Sequence, residues 1–500
     1  MLFRARHGFH RPSAAIGTLV TETLPAPLLG VLAGALALYA IARAILRGHG
    51  VESTLAWVLA IVAFPVLGAI LYLLVANPSI KRTRRRKQRS AAALRRRLGR
   101  APDVEAEEVG AVARVPEPAG GLVELATRLT GLPASHGNRV ELLAESEIAF
   151  REIEEAIASA RRSVWAEYYI IQNDATGHRF LEALADKAAQ GVEVRFLFDA
   201  FGSLRIDAKR LAAIRAAGGR TESFLPMNPL RRRWAVHLRN HRKLIVVDGA
   251  LGFAGGMNIG DEYSGRLGKR RGSRSFRDSH LAIRGPAVAD LAWTFAEDWS
   301  FATGESLALP ERSPPGAGES TVAVVPSGPD QTQNATSYVY FSGIATAQHR
   351  ICLTSPYFVP DDATLRALTA AAMRGVDVRV LVPGPCDVPL VKSAAQSFYP
   401  ELVSAGVRVY EFRPAMLHAK TLTVDGAWGI VGSANVDVRS FRLNFELSAL
   451  VVDARFAAVL EERFLADLAR SREIGARALA RRTLGERLKL GTTRLLSPLL

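Results

Sequence analysis

Two long uncharged apolar runs open the chain, and beyond them short β-branched runs alternate with amphipathic helical stretches. Leu24–Ala42 spans nineteen residues and Thr54–Ala76 twenty-three, the latter with one internal proline, Pro65. At about 1.5 Å rise per residue, either run can cross a hydrocarbon core of roughly 30 Å. The pattern therefore predicts transmembrane helices over about 24–42 and 54–76, in an anchor of residues 1–80. Residues 101–135 are rich in Ala, Glu, Pro and Gly and read as a linker, so 81–135 becomes a basic run plus linker. Further on, GVEVRFLFD (Gly191–Asp199) follows the helix-like Arg179–Gln190, and GVDVRVLVP (Gly375–Pro383) follows Asp362–Arg374. Each pair reads as a crossover helix feeding a buried parallel strand. The expected fold class is α/β, with two similar halves at 136–310 and 311–475. A tail at 476–500 mixes Arg and Lys with Leu, as a segment lying on a membrane surface or as a solvated terminal helix.

Charge sharpens the membrane reading. The formal net charge is +16, and residues 81–100 alone carry eleven Lys/Arg and no acid. Such a run binds nucleic acid or marks the cytosolic side of a membrane segment. The loop Arg43–Ser53 has only Arg43 and Arg47, whereas Arg4, Arg6 and Arg11 precede the first apolar run. By the positive-inside rule both ends face the cytosol. Each base beside anionic headgroups contributes on the order of 1 kcal/mol, so a membrane partner is expected and a nucleic acid is not. Two cysteines, Cys352 and Cys386, match neither a disulfide framework nor a zinc spacing, and a reducing setting fits the bulk of the chain.

The chemistry lies in a repeat. Asn240–Asn258 reads NHRKLIVVDGALGFAGGMN and Leu417–Asn435 reads LHAKTLTVDGAWGIVGSAN. In both, His, Lys, Asp, Gly and Asn stand at the same spacings, which marks a duplication. His-x-Lys followed by apolar β-branched residues is a strand, so His241 and Lys243 share a face, as do His418 and Lys420. Asp248-Gly249 and Asp425-Gly426 are hairpin-turn dipeptides. A returning strand then brings Asn258 and Asn435 toward the histidines. A nucleophile or acid, a fixed cation and an amide donor make a phosphate pocket. The catalytic candidates are thus His241, Lys243, His418 and Lys420, with Asn258 and Asn435 binding phosphate. Asp248 and Asp425 are either catalytic or simply what a tight turn requires. The strands Asp278–Arg284 and Glu446–Val452 each start on a carboxylate. A neutral histidine nucleophile needs its other ring nitrogen held by an acceptor, so Asp278 and Glu446 are the candidates to orient the histidines. No metal-ligand cluster and no nucleotide signature stands out, and neither a metal nor a cofactor is expected.

Both motifs fit H-x-K-x4-D-x6-G-[GS]-x-N, which resembles the signature of the phospholipase D superfamily. AEYYII (Ala166–Ile171), SPYFVPDD (Ser355–Asp362), GGMNIGDEY, GSANVDVRSFRLNFE, the second apolar run and the terminal LLSPLL look like bacterial cardiolipin synthases with a two-helix anchor. Two positions depart from the general pattern: Gly256 stands where the second copy has Ser433, and Phe276 where a tryptophan is common. The resemblance implies two pseudo-symmetric α/β halves facing one cleft, and a phosphatidyl group passed between two phosphatidylglycerols with release of glycerol. It also implies attack by His241 to give a phosphatidyl-histidine, with His418 as acid and base. Place and partners follow: a multi-pass protein of the bacterial cytoplasmic membrane, its catalytic part on the cytosolic side and phospholipids as substrates. The oligomeric state stays open. The rival readings are a hydrolytic phospholipase D, a nuclease of the superfamily, and a non-enzymatic membrane scaffold.

Overall fold

The computed structural model describes residues 26–47, 51–75, 79–97, 115–226, 238–265, 275–495 and 497. Arg4, Arg6, Arg11, the linker stretch 101–114 and most of the terminal LLSPLL lie outside the described residues. The chain divides into two compact units, Met1–Pro78 and Ser79–Leu500.

In the first unit, Ala26–Arg47 is one helix, and its segment Pro27–Leu46 is long and apolar enough to cross a membrane. The second apolar run is not one helix. It divides into Val51–Ala63 and Pro65–Val75 around Phe64. Pro65 has no N–H to donate, and its ring crowds the carbonyl one turn back. Backbone bonds still bridge the kink, Phe64 N to Ala60 O at 3.0 Å and Gly68 N to Phe64 O at 2.7 Å. Ala40 and Ala44 of the first helix meet Ile61, Ala69 and Tyr72 of the others in a small core, the close approach that small residues allow.

The second unit is built on one mixed sheet whose halves mirror each other. From the middle outward, the first half runs Ser135–Leu143, His280–Arg284, Leu251–Gly255, Leu244–Val247, Ser163–Tyr168, Glu193–Asp199 and Arg220–Phe224. The second half repeats that order with Ser320–Ser327, Asn444–Val452, Trp428–Gly432, Thr421–Val424, Arg350–Thr354, Asp377–Pro383 and Arg408–Phe412. The two innermost strands pair antiparallel, which joins the halves. The expected crossover strands Glu193–Asp199 and Asp377–Pro383 each pair parallel on both sides and are largely buried. The helix Val288–Thr303 shares a core with strands of both halves, among them Val324, Val431 and Leu447. At the C-terminus, Leu484–Leu495 packs on Pro389–Ser404 through Leu490 and an Arg494–Glu401 ion pair at 2.9 Å, leaving Leu484, Leu488 and Leu495 exposed.

The basic run departs most from expectation. Residues Ser79–Arg97 form a helix that belongs to the second unit and packs along Val288–Thr303. Leu94 joins that helix's core, Arg95 pairs with Glu297 at 3.6 Å, and Arg97 donates to Ser306 at 3.0 Å. Lys87 is wholly buried, with its Nζ 2.6 Å from Asp298 and 3.7 Å from Asp330, over the ring of Phe445. Asp298 also takes Arg242, the residue between His241 and Lys243. Burial and the neighbouring Asp298 push the Glu167 carboxyl well above its usual range, so it keeps the proton that lets two carboxyls lie side by side. Part of the run is thus a strut behind the first motif rather than a headgroup-facing segment. Charge alone does not distinguish the two, because a buried ion pair and a solvated base look alike in sequence.

Removing one member of a buried ion pair leaves the other uncompensated, at a cost of about 3–5 kcal/mol. Lys87→Met should lower unfolding stability by that order in denaturant titrations, whereas exposed Arg85→Ala or Arg89→Ala should stay within about 0.5 kcal/mol. Equal effects of all three would contradict the strut.

Candidate active site

The hairpins form for a local reason. Asp248, Gly249, Asp425 and Gly426 all adopt positive φ, between 53° and 67°, the backbone of the tight primed turn that matches strand twist. Each turn makes Leu244–Val247 or Thr421–Val424 antiparallel to its return strand, register fixed from Leu244↔Ala254 to Val247↔Leu251 and from Thr421↔Val431 to Val424↔Trp428. His241 and His418, just ahead of these strands, then line one cleft of about 410 Å³ together with Asn258, Asn435, Tyr169, Tyr263 and Tyr357.

Each histidine is held by the other half. Arg239-Asn240 pairs parallel with Asn444-Phe445, and His241 N donates to Phe445 O at 2.8 Å. Met416-Leu417 pairs in the same way with Phe276-Arg277, and His418 N donates to Arg277 O at 2.7 Å. These short cross-half ladders place Glu446 Oε2 3.0 Å from His241 Nδ1, and Asp278 Oδ2 2.6 Å from His418 Nδ1. Burial alone would raise both acids. For Asp278 the charges of Lys420 and His418 outweigh it, and for Glu446 those of His241 and Lys243 do, so both stay below their ordinary values. An ionised carboxylate makes Nδ1 the protonated nitrogen, which leaves Nε2 with its lone pair. Lys420 Nζ also lies 2.8 Å from His418 Nδ1. An ammonium cannot donate to an N–H, so the bond to Asp278 fixes the tautomer and Lys420 donates to the His418 carbonyl.

Burial lowers the pKa of His241, and with the Lys420 charge it brings His418 to about 4. Both imidazoles are therefore neutral near pH 7. Burial also pulls Lys243 well below its normal value and Lys420 to about 8, although Glu446 and Asp278 oppose it. Lys243 Nζ donates to the His241 carbonyl at 2.6 Å and sits over the Tyr169 ring. Both lysines sit beneath the histidines, poised to balance an anion above them. Asn258 is engaged, accepting from Ile170 N at 3.2 Å and donating to Tyr263 Oη at 3.0 Å. Asn435 Oδ1 has no hydrogen-bond partner although it is buried.

Asp248 and Asp425 are not brought to this cleft. The Asp248 carboxylate accepts the backbone amides of Arg161, Arg162 and Ser163, and Asp425 those of Gln348, His349 and Arg350. Of the two alternatives, their geometry is that of turn residues which also cap the start of a neighbouring strand. Gly256 has a steric reason: a Cβ there would stand 2.1 Å from Asp278 Oδ1. Ser433 instead donates to the longer Glu446 at 2.5 Å. Sequence reasoning missed the aromatic walls, Tyr169 at 4.8 Å from the His241 ring and Tyr263 at 5.4 Å from that of His418. Phe276, noted only as a replacement for tryptophan, lies 5.4 Å from the His418 ring. The walls do not repeat between halves, so the duplication could not reveal them.

Two duplicated α/β halves, each lending a carboxylate to the other's histidine over a lysine-lined floor, define a phospholipase D-type phosphodiester site. Residues 153–292 and 340–468 match the family described as "Cardiolipin synthase, PLD-like domain", and residues 35–77 match "Phospholipase_D-nuclease N-terminal". The chain is 38% identical to a cardiolipin synthase of Geobacillus thermodenitrificans over 89% of each chain. It is 37% identical to cardiolipin synthase A of Pseudomonas aeruginosa over 96% of this chain and 97% of that one. The phosphatidylserine synthase of Haemophilus influenzae shares the fold, with a TM-score of 0.58 at 16% identity, over 76% of this chain and all of that one. The chain belongs to the cardiolipin synthase family.

Asp278→Asn should reduce kcat on the order of 100-fold, because the amide no longer fixes the tautomer. Asp248→Asn should act on stability instead, by about 1–3 kcal/mol; a larger kcat loss for Asp248→Asn would reverse these roles. Free-enzyme groups set kcat/KM. As pH rises through about 8, Lys420 loses its proton and the site its charge, so kcat/KM should fall there rather than near the ordinary lysine value. A flat profile to pH 10 would contradict this.

Proposed function

We propose that the protein makes cardiolipin from two phosphatidylglycerols by double displacement at this cleft. One histidine Nε2 attacks the phosphorus of the first lipid, a phosphorus–nitrogen bond forms, and the bond to the glycerol oxygen breaks. The other histidine supplies the proton to the departing glycerol. In the second half-reaction that histidine takes a proton from a hydroxyl of the second lipid, whose oxygen displaces the phosphatidyl group. Lys243, Lys420 and Asn435 balance charge on the phosphoryl oxygens. The carboxylates Asp278 and Glu446 stabilise each imidazole when it becomes positive. The observation that carries this reading is the exchange of carboxylates, which readies two histidines to act on one phosphorus.

The exchange conserves bond type, since one phosphodiester replaces another, and needs no nucleotide. Both substrates carry acyl chains and stay in a bilayer. The two apolar runs suit a two-span anchor in a bacterial cytoplasmic membrane, with the catalytic unit on the cytosolic side. A hydrolytic phospholipase D would use the same intermediate with water as acceptor, and products distinguish the two.

Labelled phosphatidylglycerol incubated with purified protein should yield cardiolipin and glycerol by mass spectrometry; phosphatidic acid alone would mean hydrolysis. His241→Ala and His418→Ala should each abolish turnover, and normal synthesis by either would sink the shared site. Excess EDTA should leave the activity largely intact.

A further inference from the structure

The cleft breaks its own twofold symmetry in a way that the chemistry above does not use. Arg239 and Arg439 both line it. Arg239 stands two residues before His241, and Arg439 four residues after Asn435. Superposing the motifs puts Met416 opposite Arg239 and Glu262 opposite Arg439. One end of the cleft therefore has two guanidiniums where the other has a thioether and a carboxylate.

The two arginines share a neighbourhood. Both act on the Tyr169 hydroxyl, whose ring packs on His241, and each feels the other's charge. Arg239 is buried, its guanidinium 4.3 Å over the Phe201 ring. Asp199 lies beside it, yet that carboxylate is held by the backbone amides of Phe201, Gly202 and Asn240 at 2.8–2.9 Å. Asp437, beside Arg439, accepts Ser440 N at 2.6 Å. Around His418 the character is opposite: Tyr263, Phe276 and Tyr357 surround the ring, and Tyr357 Oη donates to Asp387 Oδ2 at 2.8 Å. Hydroxyls and carboxylates suit a neutral polyol, whereas paired guanidiniums suit a phosphodiester.

Joining two phosphatidylglycerols brings a second anion into the cleft. The acceptor's own phosphodiester does not react, yet it lies only one glycerol away from the phosphorus that does. An anion in a partly buried cleft is costly unless paired. From these observations we infer that Arg239 and Arg439 seat the non-reacting phosphodiester of the acceptor lipid, and so select an anionic lipid acceptor over a neutral alcohol. This rests on the cardiolipin-forming reading above and names the acceptor subsite of the same cleft.

The test is a competition within one reaction. Full-length protein in mixed micelles receives phosphatidylglycerol with ethanol, and the ratio of cardiolipin to phosphatidylethanol is measured. The ratio is internal to each preparation, so a poorly folded fraction of a variant does not alter it. Arg239→Gln and Arg439→Gln should each lower the ratio roughly tenfold, as loss of one charge-assisted contact predicts, and Arg439→Lys should recover part of it. A fall of less than threefold in both glutamine variants overturns the seat alone. If the unaltered protein makes phosphatidylethanol but no cardiolipin, the parent reading fails and the subsite with it.

Discussion

Neither half of this molecule has a complete site. A histidine that must attack or protonate phosphorus needs its Nδ1 proton fixed, and each half supplies the acceptor for the other's ring, Glu446 for His241 and Asp278 for His418. The rest of the architecture serves that exchange. The central strands Ser135–Leu143 and Ser320–Ser327 join the halves, and the dipeptide ladders Arg239-Asn240 with Asn444-Phe445 and Met416-Leu417 with Phe276-Arg277 bring the carboxylates across. Separating the halves would leave two buried acids and two lysines without partners, which low-dielectric surroundings make costly. Duplication alone would have given two half-sites; the crossing of strands makes one.

Burial tunes the same groups. It holds both imidazoles neutral, as a nucleophile requires, and brings Lys420 to about 8. An incoming phosphodiester reverses the balance, because its negative charge favours protonated lysine and imidazolium. The resting site is thus prepared for attack, and substrate itself raises the basicity that acid catalysis needs. Behind the first motif, Arg242, Asp298 and Lys87 form a buried ionic layer. Ala419 stands at the position of Arg242 in the second motif, so that layer is confined to the His241 side. The helix that follows the apolar runs is thereby part of the scaffold under His241.

Much of this was legible in the sequence because the motif occurs twice. Repetition identified His241, Lys243, His418, Lys420 and the carboxylates Asp278 and Glu446, and period-two strands placed each His and Lys together. The crossing of the carboxylates between halves was not legible, since a strand after each motif is equally compatible with pairing inside its own half. The ambiguity of Asp248 and Asp425 came from chemistry shared by turns and catalysts; three backbone amides on each carboxylate resolve the geometry. Lys87 was hidden within a run of identical charges, and the Pro65 kink within an otherwise uniform apolar run. Tyr169, Tyr263, Arg239 and Arg439 have no counterparts in the other half, so a search built on repetition passes over them.

The exchange of carboxylates is most directly tested by nitrogen-15 NMR of histidine-labelled protein, in which a carboxylate-bound Nδ1 proton resonates far downfield. The account predicts that Glu446→Gln removes the His241 resonance and leaves that of His418, and that Asp278→Asn does the opposite. Loss of the His418 signal on Glu446→Gln, with that of His241 intact, would contradict it.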